Sequence, residues 1–568
     1  MAQVSADAHV RTADQHYQQM AYALAVEEYN VAAKMGAVNE HVTKRLAESY
    51  MKLGNTEEAE IWYGTVVKFL NREPRDLYNY AQALKSNGKY QQAEEWMDRY
   101  LIMMGPDAGA RRSNITDFAK KFTREMDRFT VRSVSVNTPY SDFGASWLDP
   151  QHVVFSSSRK ETVGIQRRAA WNDQPFLDLY VADVAPSGDL LNARPLPGDV
   201  NSKLHDGPAS ASRDGNELWF TRNNIFRGKV TRSRNGVSRL GIYKAQRNGD
   251  AFGRLEQFLY NNSECSVGHP AISPDGRKLY FVSDMPGGFG GNDIYVCKDL
   301  GGQWSEPENL GPGVNTTEDE EFPFVAADGT LYFASNGHPG LGGLDIYASP
   351  FEGEAGHKIV INVGAPVNGP KDDFAFVIDA AGKKGYFSSD RPGGVGDDDI
   401  YAFEMHSPLE QRFLVTGVVI DDEQEIPVSE VEVELLDENG AVVASTISDE
   451  KGEYSFAVTK DREYRVMARM KGRFDAEQHL STENIEQKQI LVRDLHLIPD
   501  AGIWLRGTVR YRNRLGFIAG MTVTVVNLSS YYSESDVTGE GGDFSFRLQP
   551  NEEFEVLLEK EGFFSQSV

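Results

Sequence analysis

The sequence holds few residues whose types and spacing could carry out catalysis. It lacks the Gly-x-Ser-x-Gly pattern that presents a nucleophilic serine in many hydrolases, so acyl transfer by that route is not indicated. It also lacks His-Glu-x-x-His and Cys-x-x-Cys, the short spacings that bring zinc ligands together. We therefore predict that the protein is not an enzyme and carries no metal ion or cofactor.

An acidic run and two histidines are the remaining candidates for chemistry. Asp397, Asp398 and Asp399 could hold calcium, but Asp399 also belongs to an Asp-Ile-Tyr phrase that recurs along the chain. We therefore expect its carboxylate to accept hydrogen bonds from the amides of a turn, with calcium as the alternative. His269 and His338 fall between predicted strands and are expected to be surface or turn residues. Evidence for a function must therefore be sought in the segments of the chain that repeat.

The N-terminal region repeats every 34 residues. Two alanine positions and one glycine position recur at this spacing: Ala13, Ala47 and Ala81; Ala25, Ala59 and Ala93; Gly54 and Gly88. Small residues where helices cross, and a glycine at the end of a first helix, are typical of the tetratricopeptide repeat. We therefore predict an array of helical hairpins over residues 1–105.

Repeat arrays of this kind bind other proteins, and the register maps the residues that line the inner groove. The predicted partner-binding residues are Tyr17, Lys44, Lys52, Arg75, Tyr78 and Lys85. Their basic and aromatic side chains favour an acidic or C-terminal peptide of a partner, held by charge-assisted hydrogen bonds. An ordinary solvated helix face is the alternative. Reversing Lys44 and Lys85 to glutamate is expected to weaken partner binding without lowering the melting temperature.

A second period, of about fifty residues, begins near residue 140. An Asp-Ile-Tyr phrase or a looser copy of it ends at Tyr180, Tyr243, Tyr295, Tyr347 and Tyr401. Each copy follows a short apolar strand, and three copies have an Asp-Gly hairpin signal before that strand. Five units of short strands and tight turns predict a five-bladed β-propeller over residues 131–407. The alternating segment Val131–Val136 is expected to close the ring by joining the last blade.

The third to fifth of these units resemble the periplasmic PD40, or TolB-like, repeat. The first two units carry insertions instead of the Gly-rich loop, at Arg159 to Asn172 and at Arg222 to Arg239. The second insertion is basic, and it is either a solvated excursion or a partner contact. The Gly-Gly loops are predicted to be structural, because glycine supplies positive φ angles in tight turns. Replacing Gly288 and Gly394 with valine should therefore cost stability.

Two related β-rich segments follow. Residues 412–499 alternate apolar and polar side chains and resemble the carboxypeptidase-regulatory-like domain, a β-sandwich module. Residues 503–568 repeat the pattern, with Gly507 in the place of Gly417. The second copy is shorter at its C-terminal end than the first. We therefore expect it to be incomplete, with its last strand beyond residue 568.

Residues 106–130 connect the helices to the predicted propeller. Four apolar side chains in or beside this segment fall at helical spacing: Phe118, Phe122, Met126 and Phe129. A repeat array needs a cap over its last unit, because that unit would otherwise expose its core face. We predict a capping helix here, with a basic face turned to the acidic propeller.

Charge and cysteine content restrict the partners and the compartment. The chain has a formal net charge of −26, which argues against nucleic acid and anionic membrane surfaces as partners. Acidic stretches such as 317–321 are expected to be solvated loops.

Residues 1–20 show no signal-peptide core, and the resemblance to exported families favours removal of a signal over a cytosolic location. Cys265 and Cys297 are expected to be two separate buried thiols, with a disulfide as the alternative.

The predicted fold is thus multidomain, α plus all-β, and the order of its domains resembles a group of Bacteroidetes envelope proteins. Members of that group usually end in an OmpA-like domain that binds peptidoglycan, and one serves the type IX secretion system. The resemblance implies a non-catalytic periplasmic scaffold associated with the outer membrane. Its partners would be outer-membrane β-barrel or secretion-system proteins, and peptidoglycan through a segment beyond residue 568. The alternative is a ligand- or glycan-sensing propeller module of the cell envelope.

Overall fold

The computed structural model divides the chain into two units, Met1–Gln411 and Arg412–Val568. It describes residues 5–105, 115–116, 119–120, 126–159, 168–226, 229–350, 360–409, 412–470, 473–483, 491–498, 503–512, 515–548, 552–562 and 566–567. The first unit begins with helices and continues with small antiparallel sheets, and the second is built of strands. The structure is therefore mostly β with a helical start.

Six helices form the described N-terminal region: Ala6–Gln18 (α1), Tyr22–Lys34 (α2), Glu40–Lys52 (α3), Thr56–Val66 (α4), Pro74–Ser86 (α5) and Tyr90–Met104 (α6). Consecutive helices pack in pairs, α1 with α2, α3 with α4 and α5 with α6. The six alanines of the 34-residue repeat are fully buried. Their small side chains allow close contact between helices, which explains why alanine recurs at those places.

Local signals set the ends of these helices. The amides of Val42 and Glu58 donate to the side-chain oxygens of Asn39 (3.0 Å) and Asn55 (3.2 Å), which cap the starts of α3 and α4. Gly54 follows α3 with a φ of +72°, a left-handed conformation that glycine adopts without strain. The predicted glycine stop is thereby confirmed.

The strands of the first unit are Phe129–Ser133 (β1), Asp142–Asp149 (β2), His152–Ser157 (β3), Asp178–Val184 (β4), Leu190–Pro195 (β5), Asp206–Ala211 (β6), Glu217–Asn223 (β7), Ile225–Phe226 (β8), Lys229–Val230 (β9), Leu240–Asn248 (β10), Ala251–Gln257 (β11), Val267–Ile272 (β12), Lys278–Ser283 (β13), Asp293–Lys298 (β14), Glu308–Asn309 (β15), Glu320–Val325 (β16), Leu331–Ser335 (β17), Asp345–Ser349 (β18), Ile361–Asn362 (β19), Asp373–Ile378 (β20), Lys384–Ser389 (β21) and Asp399–Met405 (β22). Within the described residues they form five four-stranded antiparallel sheets and the short β8–β9 hairpin.

Each sheet packs on two others through its first long strand. Strand β2 contacts β6, β6 contacts β12, β12 contacts β16, β16 contacts β20, and β20 contacts β2. Strand β1 pairs antiparallel with β22, from Phe129 opposite Met405 to Ser133 opposite Tyr401. An N-terminal strand thus joins the last sheet of this unit, as predicted, although it begins at Phe129 and ends at Ser133.

A β-bulge recurs in the first long strand of every sheet. At this point the backbone has a positive φ at Gly144, Gly207, His269, Phe322 and Ala375. The pairing with the next strand shifts register at the same place in each sheet. Such bulges bend a strand and increase its twist. The residue types at these positions share no pattern, so the sequence did not predict the bulges.

A repeated asparagine ties each sheet to the one before it. Asn201 accepts a hydrogen bond from the amide of Leu179 (2.6 Å) and donates one to the carbonyl of the same residue (3.0 Å). Four other asparagines make the same pair of bonds: Asn137 with Ile400, Asn261 with Ile242, Asn315 with Ile294, and Asn368 with Ile346. Each precedes the first long strand of a sheet and binds the third strand of another. Asn137 therefore links the first and last of the five sheets.

We expect replacement of Asn368 by alanine to destabilise the first unit by about 2–4 kcal/mol. Asn368 is 1% exposed, and its loss would leave the amide and carbonyl of Ile346 without these side-chain bonds. Chemical denaturation of the full chain measures the effect. Asn71→Ala is the matched control, because Asn71 is exposed and has no side-chain bond within the described residues. Equal midpoints for the two variants would contradict the role given to the asparagines.

The Gly-rich loops wrap around the aspartate of the Asp-Ile-Tyr phrase. Asp399 accepts hydrogen bonds from the amides of Val395 and Gly396, which confirms the role predicted for it. A positive φ is found at the first glycine of each pair, +97° at Gly287 and +94° at Gly393. The second glycine, Gly288 or Gly394, is required for another reason: a Cβ atom there would overlap the enclosed aspartate.

We expect the double substitution Gly288→Val and Gly394→Val to lower the melting temperature, because each added side chain would overlap a buried aspartate. Gly253→Val is the matched control, since a Cβ atom on Gly253 lies at an ordinary contact distance of 3.4 Å from Asp199 Oδ2. Differential scanning calorimetry measures both. An unchanged melting temperature in the double variant would show that the loops are not structural.

The strands of the second unit are Arg412–Asp421 (β23), Ile426–Pro427 (β24), Glu432–Asp437 (β25), Val442–Ile447 (β26), Glu453–Thr459 (β27), Glu463–Arg469 (β28), Ala476–Ser481 (β29), Leu491–Val492 (β30), Leu495–Leu497 (β31), Ile503–Thr508 (β32), Thr522–Asn527 (β33), Ser533–Val537 (β34), Asp543–Leu548 (β35), Phe554–Glu559 (β36) and Gln566–Ser567 (β37). In the first module, β23 pairs with β27 and β24 and, in parallel, with β30 and β31. Its second sheet has the order β26-β25-β28-β29.

The second module repeats this arrangement with fewer strands in one sheet. Strand β32 pairs with β35 within the described residues, and the other sheet has the order β34-β33-β36-β37. The matched glycines share one neighbour. Gly417 lies opposite Tyr454, and Gly507 lies opposite Phe544, and in both cases a Cβ atom would collide with the facing aromatic ring. At Gly417 a Cβ atom would also collide with the carbonyl group of Arg493. A glycine under a cross-strand aromatic side chain thus explains this part of the repeat.

Most of the predicted capping helix over 106–130 lies outside the described residues. Where this part is described, Met126–Arg128 form a short 3₁₀ helix, and Phe129 begins β1. The last member of the apolar stripe therefore belongs to a sheet, and the prediction that Phe129 extends a helical stripe is wrong. Its ring is buried against Phe403, with the ring centroids 5.7 Å apart.

Candidate functional site

Two of the residues that were predicted to bind a partner, Arg75 and Lys85, lie where the helices meet the sheets. Arg75, at the start of α5, forms a bidentate ion pair with Glu318, in which Nη2 of the arginine lies 2.6 Å from Oε2 of the glutamate. Its guanidinium group also lies 4.6 Å from the centre of the Tyr78 ring. Bidentate arginine–carboxylate pairs are strong and directional. The groove thus holds an acidic side chain, and that side chain belongs to the same chain.

Lys85, near the end of α5, is the most enclosed of the predicted residues. It is 5% exposed, and the charges that act on it are those of Asp345, Asp372 and Glu318. Burial lowers the pKa of Lys85, and these carboxylates oppose that effect. Burying an ammonium group is costly unless negative charge surrounds it. The position of Lys85 therefore depends on the acidic residues of the sheets.

The turns inside the helical pairs provide further contacts. Lys371 donates to Thr56 Oγ1 (2.6 Å) and to Glu57 Oε1 (2.7 Å), at the start of α4. At the start of α2, the ring of Tyr22 packs edge-on against Trp171, with centroids 4.9 Å apart, and the amide of Ala23 donates to the Trp171 carbonyl. Helices from all three pairs therefore touch the sheet region.

Three of the other four predicted residues interact within the chain. The Tyr17 hydroxyl donates to Glu48 (2.9 Å), and burial followed by the charge of Glu48 raises the pKa of that tyrosine. Lys44 pairs with Glu73 (2.6 Å) and Asp76 (2.8 Å). Replacing Lys44 and Lys85 with glutamate would place a new carboxylate beside existing ones at both positions. We therefore now expect this double variant to have a lower melting temperature.

Tyr78 and Lys52 complete the set. The Tyr78 hydroxyl accepts a hydrogen bond from Gln82 (2.6 Å), and its ring packs on Tyr100. Lys52 is exposed and has no ion pair or hydrogen bond within the described residues, although its charge lowers the pKa of Glu321 against the larger effect of burial. The other five predicted residues interact with side chains of the same chain.

The sheets present a cluster of carboxylates to this interface. Burial raises the pKa of Glu321, Asp345 and Asp398 to about 7, and that of Asp390 to about 8. The prediction of a solvated loop at 317–321 is wrong for Glu320 and Glu321, which belong to β16, whereas residues 317–319 lie outside any strand and Thr317 is exposed. Glu320 is fully buried, because it begins β16 and accepts bonds from Thr316 and Ser335, each 2.7 Å long. Carboxylates packed this closely disfavour ionisation of one another.

His269 is enclosed rather than exposed, which corrects the expectation of a surface residue. It lies in β12, its ring stacks on Phe322 with centroids 4.1 Å apart, and its Nδ1 is 3.2 Å from Glu321 Oε2. Burial lowers the pKa of His269 to about 4. His338 is a turn residue whose Nε2 lies 2.8 Å from the Val314 carbonyl oxygen. Both histidines have structural roles.

The basic insertion of the second sheet is partly internal. Arg222 is 5% exposed and pairs with the buried Asp206. Arg239 pairs with Asp284 at 2.8 Å. Lys229 and Arg234 lie at the surface, and Arg227 is outside the described residues. A partner contact at this insertion remains a prediction for the surface residues alone.

Comparison with known proteins identifies one module. Residues 415–493 match the carboxypeptidase regulatory-like domain family, in agreement with the resemblance seen for 412–499. No curated protein matches the chain. The match covers the first β module of the second unit, so it describes that module and not the rest of the protein.

Solved structures show weak likeness. An α-L-arabinofuranosidase from Lactobacillus brevis has 9% identity and a TM-score of 0.33, covering 48% of this chain and 92% of that one. The shaft pilin SpaA from Lactobacillus rhamnosus GG has 8% identity and a TM-score of 0.19, covering 28% and 92%. A streptococcal ancillary pilin has 12% identity and a TM-score of 0.20, covering 40% and 77%. Scores this low support no inference about fold or function.

Three further features bear on the predicted chemistry. Cys265 and Cys297 are both buried and free, so the expectation of separate thiols is confirmed. Across the described residues, no group of three or more metal-binding side chains is arranged to hold an ion. The helices in the same part of the chain are all too short or too polar to cross a membrane.

Proposed function

We propose that this protein is a non-catalytic scaffold of the bacterial cell envelope. In this proposal the helices are tetratricopeptide repeats, and the five sheets are the blades of a PD40-type β-propeller. The ring-like order of contacts from β2 to β20 and back supports the propeller, as does the bond pair between Asn137 and Ile400. Propellers and helical repeats offer large rigid surfaces for protein partners.

The observation that carries the proposal is the join between helices and sheets. Arg75 with Glu318, Lys371 with Glu57, and the enclosed Lys85 connect the two parts at several separate points. Several separate contacts, some of them buried, hold the two parts in one orientation. A scaffold needs this property, because it must keep its partners at fixed positions.

The domain order supports the location and the partners. It resembles the PorE subunit of the type IX secretion system, a periplasmic protein associated with the outer membrane. We propose that this chain likewise binds an outer-membrane β-barrel or a secretion component. Attachment to peptidoglycan would require an OmpA-like segment beyond residue 568.

The alternative is a sensor that binds a ligand or glycan at the central face of the propeller. Between the first strands the space is filled by aromatic rings, with Phe322 and Phe374 4.7 Å apart and His269 stacked on Phe322. The cavity left there has a volume of about 30 Å³. A ligand or glycan therefore does not fit between the sheets at this level.

Co-purification from native envelopes tests the proposal. The full chain, tagged and cross-linked in cells before extraction, should enrich an integral outer-membrane β-barrel or a secretion protein identified by mass spectrometry. A tagged periplasmic protein of similar charge is the control. Retention of labelled glycan, with no envelope protein above the control, would contradict the scaffold and favour the sensor.

A further inference from the structure

A cup lies at the C-terminal ends of the first long strands of the five sheets. Its volume is about 540 Å³, within the range of small-ligand sites. One segment from each sheet lines it: 146–150, 210–213, 272–274, 324–327 and 378–381. The helices contact the sheets near the other ends of these strands, at Glu318 and Asp372. The cup is therefore separate from the helical interface.

The base of the cup is apolar and closed. Ile272 and Ile378 are buried in its wall, and Trp147 and Phe324 line it beside them. Further along the axis, the rings of Phe322 and Phe374 leave space for little more than water. The cavity is thus blind, and a group that enters it would contact aromatic and aliphatic side chains.

The acceptors around the cup are already engaged in their own turns. Asp149 lies 2.9 Å from His152 Nδ1 and 3.7 Å from Arg247. Asp379 accepts a hydrogen bond from the amide of Lys383 (2.8 Å). The Ser212 hydroxyl donates to Asp214 at 2.6 Å. These carboxylates thus have intramolecular partners, whereas one cation in the lining does not.

One donor in the lining has no partner among the described residues. The guanidinium group of Arg213 is exposed, and the described residues give it neither an ion pair nor a hydrogen bond. A guanidinium group donates hydrogen bonds and cannot accept them. A complementary ligand would bring an acceptor, and arginine matches a carboxylate best.

We propose that the cup binds a carboxylate carried on an aromatic or aliphatic group. The apolar part would fill the base against Trp147 and Phe324, and the carboxylate would meet Arg213 at the mouth. The C-terminal residue of a polypeptide and a small apolar acid both have this chemistry. The site does not depend on the scaffold role, because it involves none of the residues that join helices and sheets.

Isothermal titration calorimetry on the full chain tests the site. The probes are N-acetylphenylalanine and a hexapeptide that ends in phenylalanine, each as the free acid and as the C-terminal amide. We expect at least one free acid to bind and its amide to bind at least tenfold more weakly. Binding of the peptide alone would identify a polypeptide C-terminus as the ligand, and binding of the amino acid alone a small acid.

Substitutions locate the binding. Arg213→Gln should weaken binding of the free acid at least tenfold, because it removes the cation that meets the carboxylate. Arg277→Gln is the matched control, because Arg277 is an exposed arginine of a neighbouring hairpin that does not line the cup. The proposal is overturned if neither acid binds, if acid and amide bind equally, or if Arg277→Gln has the same effect as Arg213→Gln.

Discussion

Lys85→Glu should destabilise the first unit by about 3–5 kcal/mol, the loss expected when a buried charge pair is broken. Lys85 is 5% exposed, and its neighbours Asp345, Asp372 and Glu318 are all acidic. The substitution removes the compensating cation and adds a negative charge among carboxylates. Denaturation of the full chain, followed by a probe in the helices, measures the loss.

Lys34→Glu is the control for this effect. It makes the same change of charge near the end of α2, where Lys34 is exposed and has no ion pair within the described residues. We expect that variant to change stability by less than about 0.5 kcal/mol. If the two variants unfold at the same denaturant concentration, Lys85 is not part of a buried interface.

Asp390→Asn should increase stability at pH 8 and reduce its dependence on pH. Burial, together with the charge of Asp372, raises the pKa of Asp390 from 3.8 to about 8. Between these two values the folded state binds more protons than the unfolded state, so stability falls as the pH rises. At about 1.4 kcal/mol for each pH unit, ionisation of this group costs on the order of several kcal/mol.

The fold shows that asparagine fits this position. Asp390 accepts a hydrogen bond from the amide of Asp372 (2.7 Å), and Asn336 accepts the equivalent bond from Asp319 (2.9 Å) in the preceding sheet. The amide side chain can therefore keep the bond without the charge. Calorimetric melting at pH 5 and pH 8 should show a gain for Asp390→Asn at the higher pH alone.

Asp214→Asn is the control, and we expect it to bring no gain in stability at pH 8. Asp214 is an exposed aspartate whose pKa is lowered by hydrogen bonds from Ser212 and Asn216. A stability that rises between pH 5 and pH 8 in the parent, or no difference between the parent and Asp390→Asn at pH 8, would show that Asp390 is ionised without cost.

The sequence predicted the elements that repeat at a fixed spacing and consist of recognisable residue types. The alanines of the 34-residue period satisfy both conditions, and the Asp-Ile-Tyr phrases satisfy the second, although their tyrosines lie 63, 52, 52 and 54 residues apart. The linking asparagines satisfy neither condition, because each is a single residue and the steps from Asn137 to Asn368 are 64, 60, 54 and 53 residues. A single asparagine at uneven steps is recognised as a repeat only when the sheets are aligned in space.

The candidate site was predicted in part. The basic and aromatic residues of the groove were identified, and an acidic occupant was expected. The sequence could not show that this occupant includes Glu318, which follows Arg75 by 243 residues. The residue types of the groove indicate that its side chains pair with negative charge. Which carboxylate they contact depends on how the helices pack on the sheets, and the sequence alone does not show this packing.

Zero-length cross-linking tests most directly whether the helices are joined to the sheets as a scaffold requires. A carbodiimide couples amines to carboxylates that are already in contact, so the full chain should yield a Glu57–Lys371 cross-link, where the charged atoms lie 2.7 Å apart. Two pairs inside the separate parts serve as controls: Glu60–Lys89 in the helices (2.6 Å) and Lys298–Glu308 in the sheets (2.7 Å). We expect all three cross-links to form. Formation of both control cross-links without Glu57–Lys371 would contradict the join between helices and sheets.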